Sequence, residues 1–344
     1  MDQLMLLFAL IGMGLIWAFS FTNGFQDGAT TAATLVASKA ATPRQGLFLV
    51  ASLGALGTLL GGSAVAFTIT GLIDVDDADA VMVITLSALA GAIAWNMVTW
   101  YFGIPCSTTQ SLVGGLVGAG VAVAGVDSVN WGWSELMEGE LTGLMLVIVF
   151  LVVSIFFGLL GGYLLFKLTK WMLRGAKRSI NRRINQAQWL ATSVFAFSNG
   201  ANDSQKFLGL IILILISTGF TSTEEIPLWT RLFIALAIGL GTIIGGRRIL
   251  KTLASKIYSI APIHSLDSQI VSGTALTIST AIGAPISSTQ VVSSSILGIG
   301  AADRPRYVRW AKANELVVSW LLTIPASALV SGLIGYAFDL FYIT

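Results

Sequence analysis

Two copies of one short polar motif place an asparagine and an aspartate four residues apart in an otherwise apolar chain. The copies read FTNGFQD at 21–27 and FSNGAND at 197–203. Residues four apart share one face of a helix, so each copy would present a carboxylate beside an amide. Their oxygens are hard ligands, which suit a hard cation such as sodium and suit soft metals poorly. We therefore predict that cations bind at the four repeated side chains, which are Asn23, Asp27, Asn199 and Asp203.

A structural alternative is that each asparagine caps a helix and each aspartate compensates free backbone donors there. Capping alone gives no reason for the same pair in both copies. An aspartate near the centre of a bilayer costs at least about 2.5–3.5 kcal/mol, so it normally faces a cavity and finds a partner. For these two reasons we favour the cation site over the cap.

A second motif, also present twice, combines a glycine, a proline and three consecutive hydroxyl side chains. The copies are YFGIPCSTTQ at 101–110 and AIGAPISSTQ at 281–290. Proline ends the preceding helix and suits the first turn of a new one. The free N–H groups of a helix start, together with hydroxyl donors, can bind a tetrahedral oxyanion. We predict that an anion is held by Ser107, Thr108, Thr109, Ser287, Ser288 and Thr289, and that the cations are supported by Gln110 and Gln290.

The alternative for these small and hydroxyl residues is contact between membrane helices, where Ser, Thr and Gly are common. We prefer this alternative for Gly114, Gly118 and Gly298. For the hydroxyl triplets we prefer the anion site, because each triplet directly follows a predicted helix start.

The chain as a whole has the composition of an integral membrane protein. Of its 344 residues, 55% are hydrophobic and only 10% are charged, whereas a soluble domain carries about 25% charged residues. One cysteine and one histidine exclude an internal disulfide, a cysteine metal cluster and a histidine metal site. No nucleotide-binding loop and no nucleophile–base pair is visible, so the sequence predicts neither ATP drive nor an enzyme. We expect no cofactor besides sodium as a coupling ion, and no nucleic-acid partner.

The distribution of charge predicts two halves with opposite orientations in the membrane. A dense basic segment between Lys167 and Arg183 marks a cytoplasmic linker at 169–187, which joins a first repeat at 1–168 to a second at 188–344. A third duplicated motif has its flanking charges exchanged. GTLLGG at 57–62 precedes a run of aspartates, whereas GTIIGG at 241–246 follows Glu224 and Glu225 and precedes Arg247, Arg248, Lys251 and Lys256. Inverted repeats of this kind are typical of secondary transporters, whose sites lie near the midplane at broken helices.

If both kinds of site share one cavity, they are coupled. Two aspartates would repel an anion, cations bound to them remove that repulsion, and a bound anion favours the cations in turn. Symport therefore follows from the residue types. Asn202 and Lys206 adjoin the second aspartate and are predicted to support the site. Lys206 could pair with an acid or with the anion, or could extend its ammonium to the membrane interface.

These motifs resemble those of the inorganic phosphate transporter family, the PiT-type symporters. FSNGANDSQK at 197–206 with Gly209 is similar to the second family signature, NGFQD at 23–27 to the first, and the two Pro-x-(Ser/Thr)-(Ser/Thr)-Thr blocks to the family's hairpin motifs. The resemblance covers the whole chain. It implies an all-α membrane fold of two inverted repeats with re-entrant hairpins and roughly 10–12 membrane segments. It also implies a homodimer that carries phosphate with sodium or protons.

The chain departs from the family pattern at several positions that bear on the coupling ion. The family often has histidine where this chain has Asn199, Gln110 and Gln290. The loss of these imidazoles favours sodium over a proton relay. We therefore predict a sodium-coupled phosphate symporter of the inner or plasma membrane, working by alternating access. A proton-coupled phosphate or sulfate symporter of the same fold stays open, and an anion channel, with flux uncoupled from any cation gradient, is a further alternative.

Overall fold

The computed structural model describes residues 3–177, 179–220, 226–250 and 258–342. Within these ranges the chain is helical, and no strand forms beyond an isolated bridge between Ile73 and Val129. The predicted all-α class is confirmed. Part of the charge pattern lies outside the described residues, namely Arg178, Glu224, Glu225, Lys251 and Lys256.

The first half begins with a long helix that a π-helical turn interrupts. Helix α1 (Gln3–Asn23) passes into a wider turn at Gly24–Gly28 and continues as α2 (Ala29–Ala37). The turn coincides with the first polar motif, and π turns inside α-helices are frequently found at functional sites. The other helices of this half are α3 (Pro43–Leu60), α4 (Ala64–Thr70), α5 (Ala78–Phe102), α6 (Thr108–Ala124), the short α7 (Trp133–Met137) and α8 (Gly143–Met172).

The second half repeats this element order. It contains α9 (Ile180–Ser217), α10 (Leu228–Gly245), a helical turn at 247–250, α11 (Pro262–Ala281), α12 (Ser288–Asp303) and α13 (Trp310–Tyr342). Helix α9 corresponds to α1 and α2 but has no π turn, so the two copies of the first motif differ in backbone conformation. Since α8 ends at Met172 and α9 begins at Ile180, both helices extend into the predicted linker at 169–187.

Five described segments are long and apolar enough to cross a membrane, or six if the bent pair α3 and α4 forms one span. The two helices of that pair meet at 78°, which is the shape of a broken helix. The apolar segment from Lys206 to Ser217 is the end of α9 and not a separate helix. With α6, α9, α11 and α12, the described segments number about ten, because helices that face a protein interior need not be apolar.

Contacts near the basic loops and contacts near the acidic loops form in separate parts of the protein. Lys170 at the end of α8 lies 2.9 Å from Asp303, which is followed by the basic residues of the loop after α12. On the acidic loops, the backbone N–H of Asp74 donates to the carbonyl of Ser128 at 2.8 Å. The contacts agree with the sidedness that the charge pattern predicts. The opposite orientation of the two repeats stays a prediction.

Duplicated glycines bring the two halves into close contact. A Cβ on Gly57 of α3 would lie closer than 3.0 Å to the carbonyl oxygen of Phe197 in α9. A Cβ on Gly241 of α10 would meet the carbonyl oxygen of Phe21 in α1 in the same way. The third duplicated motif therefore serves helix packing between the halves, as small residues do in membranes. The predicted packing role is also confirmed for Gly114, Gly118 and Gly298, whose Cβ atoms would collide with the backbone of α13 or α8.

Replacing Gly57 with alanine is expected to destabilise the protein by about 1–3 kcal/mol, because the added methyl group must push α3 away from the backbone of α9. The matched control is Gly14→Ala, which adds the same methyl group on α1, where nothing lies within 4 Å. Thermal unfolding of both purified variants in one detergent measures the difference. Equal melting temperatures would contradict the close packing of α3 on α9.

Candidate functional site

Both hydroxyl motifs form the elbow of a helical hairpin. The α5–α6 elbow turns at Gly103, with φ of 66°, and the α11–α12 elbow turns at Gly283, with φ of 73°. Glycine adopts this left-handed backbone without strain. A proline follows in each elbow, at Pro105 and Pro285, and a new helix starts at the middle residue of the hydroxyl triplet. The predicted helix starts are confirmed.

The first serine of each hydroxyl triplet caps the new helix. Ser107 Oγ accepts a hydrogen bond from the backbone N–H of Gln110 at 3.2 Å, and Ser287 Oγ accepts one from the N–H of Gln290 at 3.3 Å. An N-cap of this kind satisfies one of the free donors of a helix start. The cap uses each serine as an acceptor, so it does not use the hydroxyl proton.

Two amide side chains fasten the elbows to the helices that carry the first motif. Gln26 Nε2 donates to Thr99 Oγ1 at 3.2 Å and lies 3.4 Å from Cys106 Sγ. Asn202 Nδ2 donates to Thr280 Oγ1 at 3.0 Å. Asn202, predicted as a supporting residue, therefore positions a hairpin. Gln26 is absent from the predicted set, although it stands at the position of the first motif that matches Asn202, directly before the aspartate.

Asp27 is bound by hydroxyl groups from both hairpins. The side chain lies in the π turn and is only 2% exposed. From α12, Thr289 and Ser288 donate to Oδ1 at 2.8 and 3.1 Å. From α6, the hydroxyl of Thr108 donates to Oδ2. The carboxylate is therefore held between two helix starts, where the helix dipoles favour negative charge.

Asp203 is buried to the same degree but has different partners. Asn23 and Asn199 donate to its Oδ2 at 3.3 and 3.1 Å. The second of these bonds confirms that an asparagine and an aspartate four residues apart share one helix face. Lys206 forms an ion pair with Oδ1 at 2.9 Å. One half therefore supplies an amide to the carboxylate of the other.

Lys206 lies inside the protein and does not extend to the interface. Its side chain is 2% exposed, and its ammonium donates to Thr108 Oγ1 at 2.8 Å and to Thr109 Oγ1 at 3.3 Å besides the bond to Asp203. Of the alternatives that the sequence leaves open, pairing with an acid is the one that forms. The ammonium connects the second polar motif to the first hydroxyl triplet.

Thr108 joins all of these groups into one network. Its single hydroxyl proton has two acceptors within reach, Asn23 Oδ1 at 2.7 Å and the carboxylate of Asp27, while its oxygen accepts from Lys206. The first asparagine–aspartate pair is thus bridged by Thr108 and not bonded directly, because the π turn changes the spacing along the helix.

Gln110 and Gln290, predicted to support the cations, lie in the first turns of α6 and α12. In the described part of the chain they form no hydrogen bond to either aspartate, and their Oε1 atoms are buried without a partner. Gln26 Oε1 and Asn199 Oδ1 are also buried without a partner. Buried polar oxygens normally have partners. A cation that accepts oxygen ligands would provide one.

The charges of the network do not balance. In their charged forms, Asp27, Asp203 and Lys206 leave a net charge of −1 in a buried, hydroxyl-rich cluster. A single monovalent cation would neutralise it. The oxygens present are carboxylate, amide and hydroxyl groups, which is the ligand set of a hard cation. The hydroxyls can equally donate to an anion.

Comparison with known proteins finds similarity over most of the chain. A family model described as the phosphate transporter family matches residues 23–331. A protein of Bacillus subtilis described as a probable low-affinity inorganic phosphate transporter is 35% identical over 339 residues, covering 98% of this chain and 98% of its own length. A protein of Rhizobium meliloti with the same description is 36% identical over 338 residues, covering 97% of each chain.

A solved structure has a similar fold. It is described as "The sodium-dependent phosphate transporter", superimposes with a TM-score of 0.86 and is 25% identical in sequence. The similarity covers 97% of this chain and 99% of that one.

Proposed function

The chain belongs to the phosphate transporter family and is a multi-pass membrane protein that transports phosphate, and we propose that it does so by symport with sodium. The family model spans most of the chain, and both bacterial relatives cover nearly its full length. A member of this family is a transporter and not an enzyme. Sodium is the proposed coupling ion, and alternating access is the proposed cycle.

One observation supports coupling most strongly: the Asp27 carboxylate accepts hydrogen bonds from hydroxyl groups of both hairpins. The donors suited to an oxyanion are thus bound to the carboxylate suited to a cation. Phosphate and the Asp27 carboxylate compete for the same O–H groups. When sodium binds to the carboxylate, it balances the negative charge that the hydroxyl donors otherwise stabilise. These donors then become available to phosphate.

The residue roles follow from this competition. We propose that phosphate is held by the hydroxyls of Ser107, Thr108, Thr109, Ser287, Ser288 and Thr289, and that sodium is held or supported by Asn23, Asp27, Asn199, Asp203, Gln110 and Gln290. The unpartnered amide oxygens near these positions supply additional cation ligands. Since each ligand removes a penalty for binding the other, the coupling is reciprocal.

Contacts between the halves support alternating access. Helix α8 of the first half packs against α12 of the second, and α13 packs against α6. The hydroxyls that bind Asp27 come from both hairpins, so a rocking of one half against the other would open or close this cluster. We propose that this motion exposes the site to each side of the membrane in turn.

Sodium is favoured over protons by two observations. The chain has amides at Asn199, Gln110 and Gln290, and the side-chain oxygens of these three residues are buried without a partner. Amide oxygens bind sodium but do not carry protons. The structural neighbour is described as sodium-dependent. A proton-coupled or sulfate-carrying protein is the second candidate, because the hydroxyl cradle recognises a tetrahedral oxyanion in general.

Phosphate uptake into proteoliposomes tests the proposal, with sodium and proton gradients imposed separately. We expect uptake to follow the inward sodium gradient and to persist without a pH gradient. Uptake driven by protons and indifferent to sodium would refute the coupling ion. Excess sulfate is expected to compete weakly, and competition as strong as that of unlabelled phosphate would refute the substrate preference. Flux indifferent to both gradients would identify a channel.

A further inference from the structure

Lys206 breaks the symmetry of the duplicated motifs. The equivalent position in the first half is Thr30, three residues after Asp27. Thr30 Oγ1 lies 3.4 Å from Thr289 Oγ1, so the first half reaches the hydroxyl block of α12 with a neutral side chain. In the second half, the Lys206 ammonium reaches the hydroxyl triplet of the first half, at Thr108 and Thr109.

The Lys206 ammonium has the surroundings of a bound cation. Its three oxygen partners are Asp203 Oδ1 at 2.9 Å, Thr108 Oγ1 at 2.8 Å and Thr109 Oγ1 at 3.3 Å. They match the three donors of an ammonium group. Carboxylate and hydroxyl oxygens are also the ligands that a hard metal cation takes. The ammonium thus lies where a cation between Asp203 and the hydroxyls would bind.

The two carboxylates differ in what compensates their charge. Asp203 has both oxygens occupied, one by Lys206 and the other by the amides of Asn23 and Asn199. Asp27 accepts hydroxyl bonds, and the described residues form no salt bridge to it. A buried charge needs a partner. Asp27 is therefore the carboxylate whose charge a mobile cation would compensate.

We propose that Lys206 is a tethered cation that permanently takes the place of one coupling ion at Asp203, so that mobile sodium binds on the Asp27 side. The inference rests on the proposed sodium symport and refines it. A site with two uncompensated aspartates would bind one more sodium per chain than this one. Lys206 thereby lowers the number of sodium ions bound with each phosphate.

Substitution Lys206→Thr tests the inference by restoring the residue of the first half. Equilibrium binding of radioactive sodium to the purified protein counts the ions per chain, and it does not depend on transport. We expect the variant to bind one sodium more than the wild type. The double substitution Lys206→Thr with Asp203→Asn removes the carboxylate as well and is expected to return the count to the wild-type number.

A matched control is Lys312→Thr, which removes an exposed lysine three residues from its acidic partner Glu315; its sodium count is expected to equal that of the wild type. If Lys206→Thr does not fold, Lys206→Met keeps the volume of the side chain and carries the same expectation. Equal sodium counts with and without the Lys206 charge would overturn the tethered cation, whether or not phosphate affinity changes. A wild type that binds no sodium would instead refute the proposed sodium symport.

Discussion

Asp27→Asn is expected to reduce sodium-driven phosphate uptake at least about 100-fold while the protein stays folded. The carboxylate accepts hydroxyl bonds from Thr108, Ser288 and Thr289, and it carries the charge that attracts sodium. Hydrogen bonds to a charged group contribute about 1.5–3 kcal/mol each, and about 1.4 kcal/mol is a factor of ten. The amide keeps an oxygen acceptor at the same place, so the hairpins can remain assembled. Initial rates in proteoliposomes, corrected for the amount of folded protein, measure the effect.

Asp267→Asn is the control for this variant. Asp267 is also buried, and its carboxylate accepts a hydrogen bond from Thr169 at 3.0 Å. Among the described residues it has no hydrogen bond to Asp27, Asp203 or Lys206. The control is expected to retain most of the uptake. Equal losses in both variants would show that uptake depends on buried aspartates in general, and would contradict a special role of Asp27.

Thr108→Val is expected to lower uptake by about 10- to 100-fold, the cost of a lost hydrogen bond to a charged group. Valine has nearly the same shape but no hydroxyl, so Lys206 loses an acceptor and Asn23 loses a donor. The hydroxyl triplet of α6 thereby loses its bonds to the first polar motif, whereas the triplet of α12 keeps its bonds to Asp27.

The matched variant Thr108→Ser keeps the hydroxyl and is expected to retain uptake near the wild-type rate. The comparison separates the loss of the hydroxyl group from a general change in side-chain volume. Similar rates for the valine and serine variants would contradict the linking role of Thr108. The same proteoliposome assay, repeated over a range of sodium concentrations, measures both.

The sequence predicted the helix starts at the two elbows because their signals are local and duplicated. A glycine and a proline followed by hydroxyls specify an elbow and a helix start, and both elbows form where expected. A comparison of equivalent positions in the two copies of a motif also identifies residues whose type is not unusual on its own. Gln26 could have been found in this way, since it corresponds to Asn202 in the other copy.

Other features depend on tertiary packing and could not be predicted from the motif. The π turn at Gly24–Gly28 occurs in one copy only, although both copies share the asparagine, glycine and aspartate. Helix α9 continues through the second copy without such a turn. The position of the Lys206 ammonium is likewise set by contacts with α6, about a hundred residues earlier in the chain.

The dependence of phosphate binding on sodium tests the central claim most directly, namely that phosphate and sodium share one network around Asp27. Phosphate affinity of the purified wild type is measured at equilibrium in sodium and in choline at equal ionic strength. Sodium is expected to raise the affinity by about 5- to 150-fold, the usual range of a coupling free energy between sites, and phosphate should raise sodium affinity by the same factor. The same phosphate affinity in both salts would contradict the shared network.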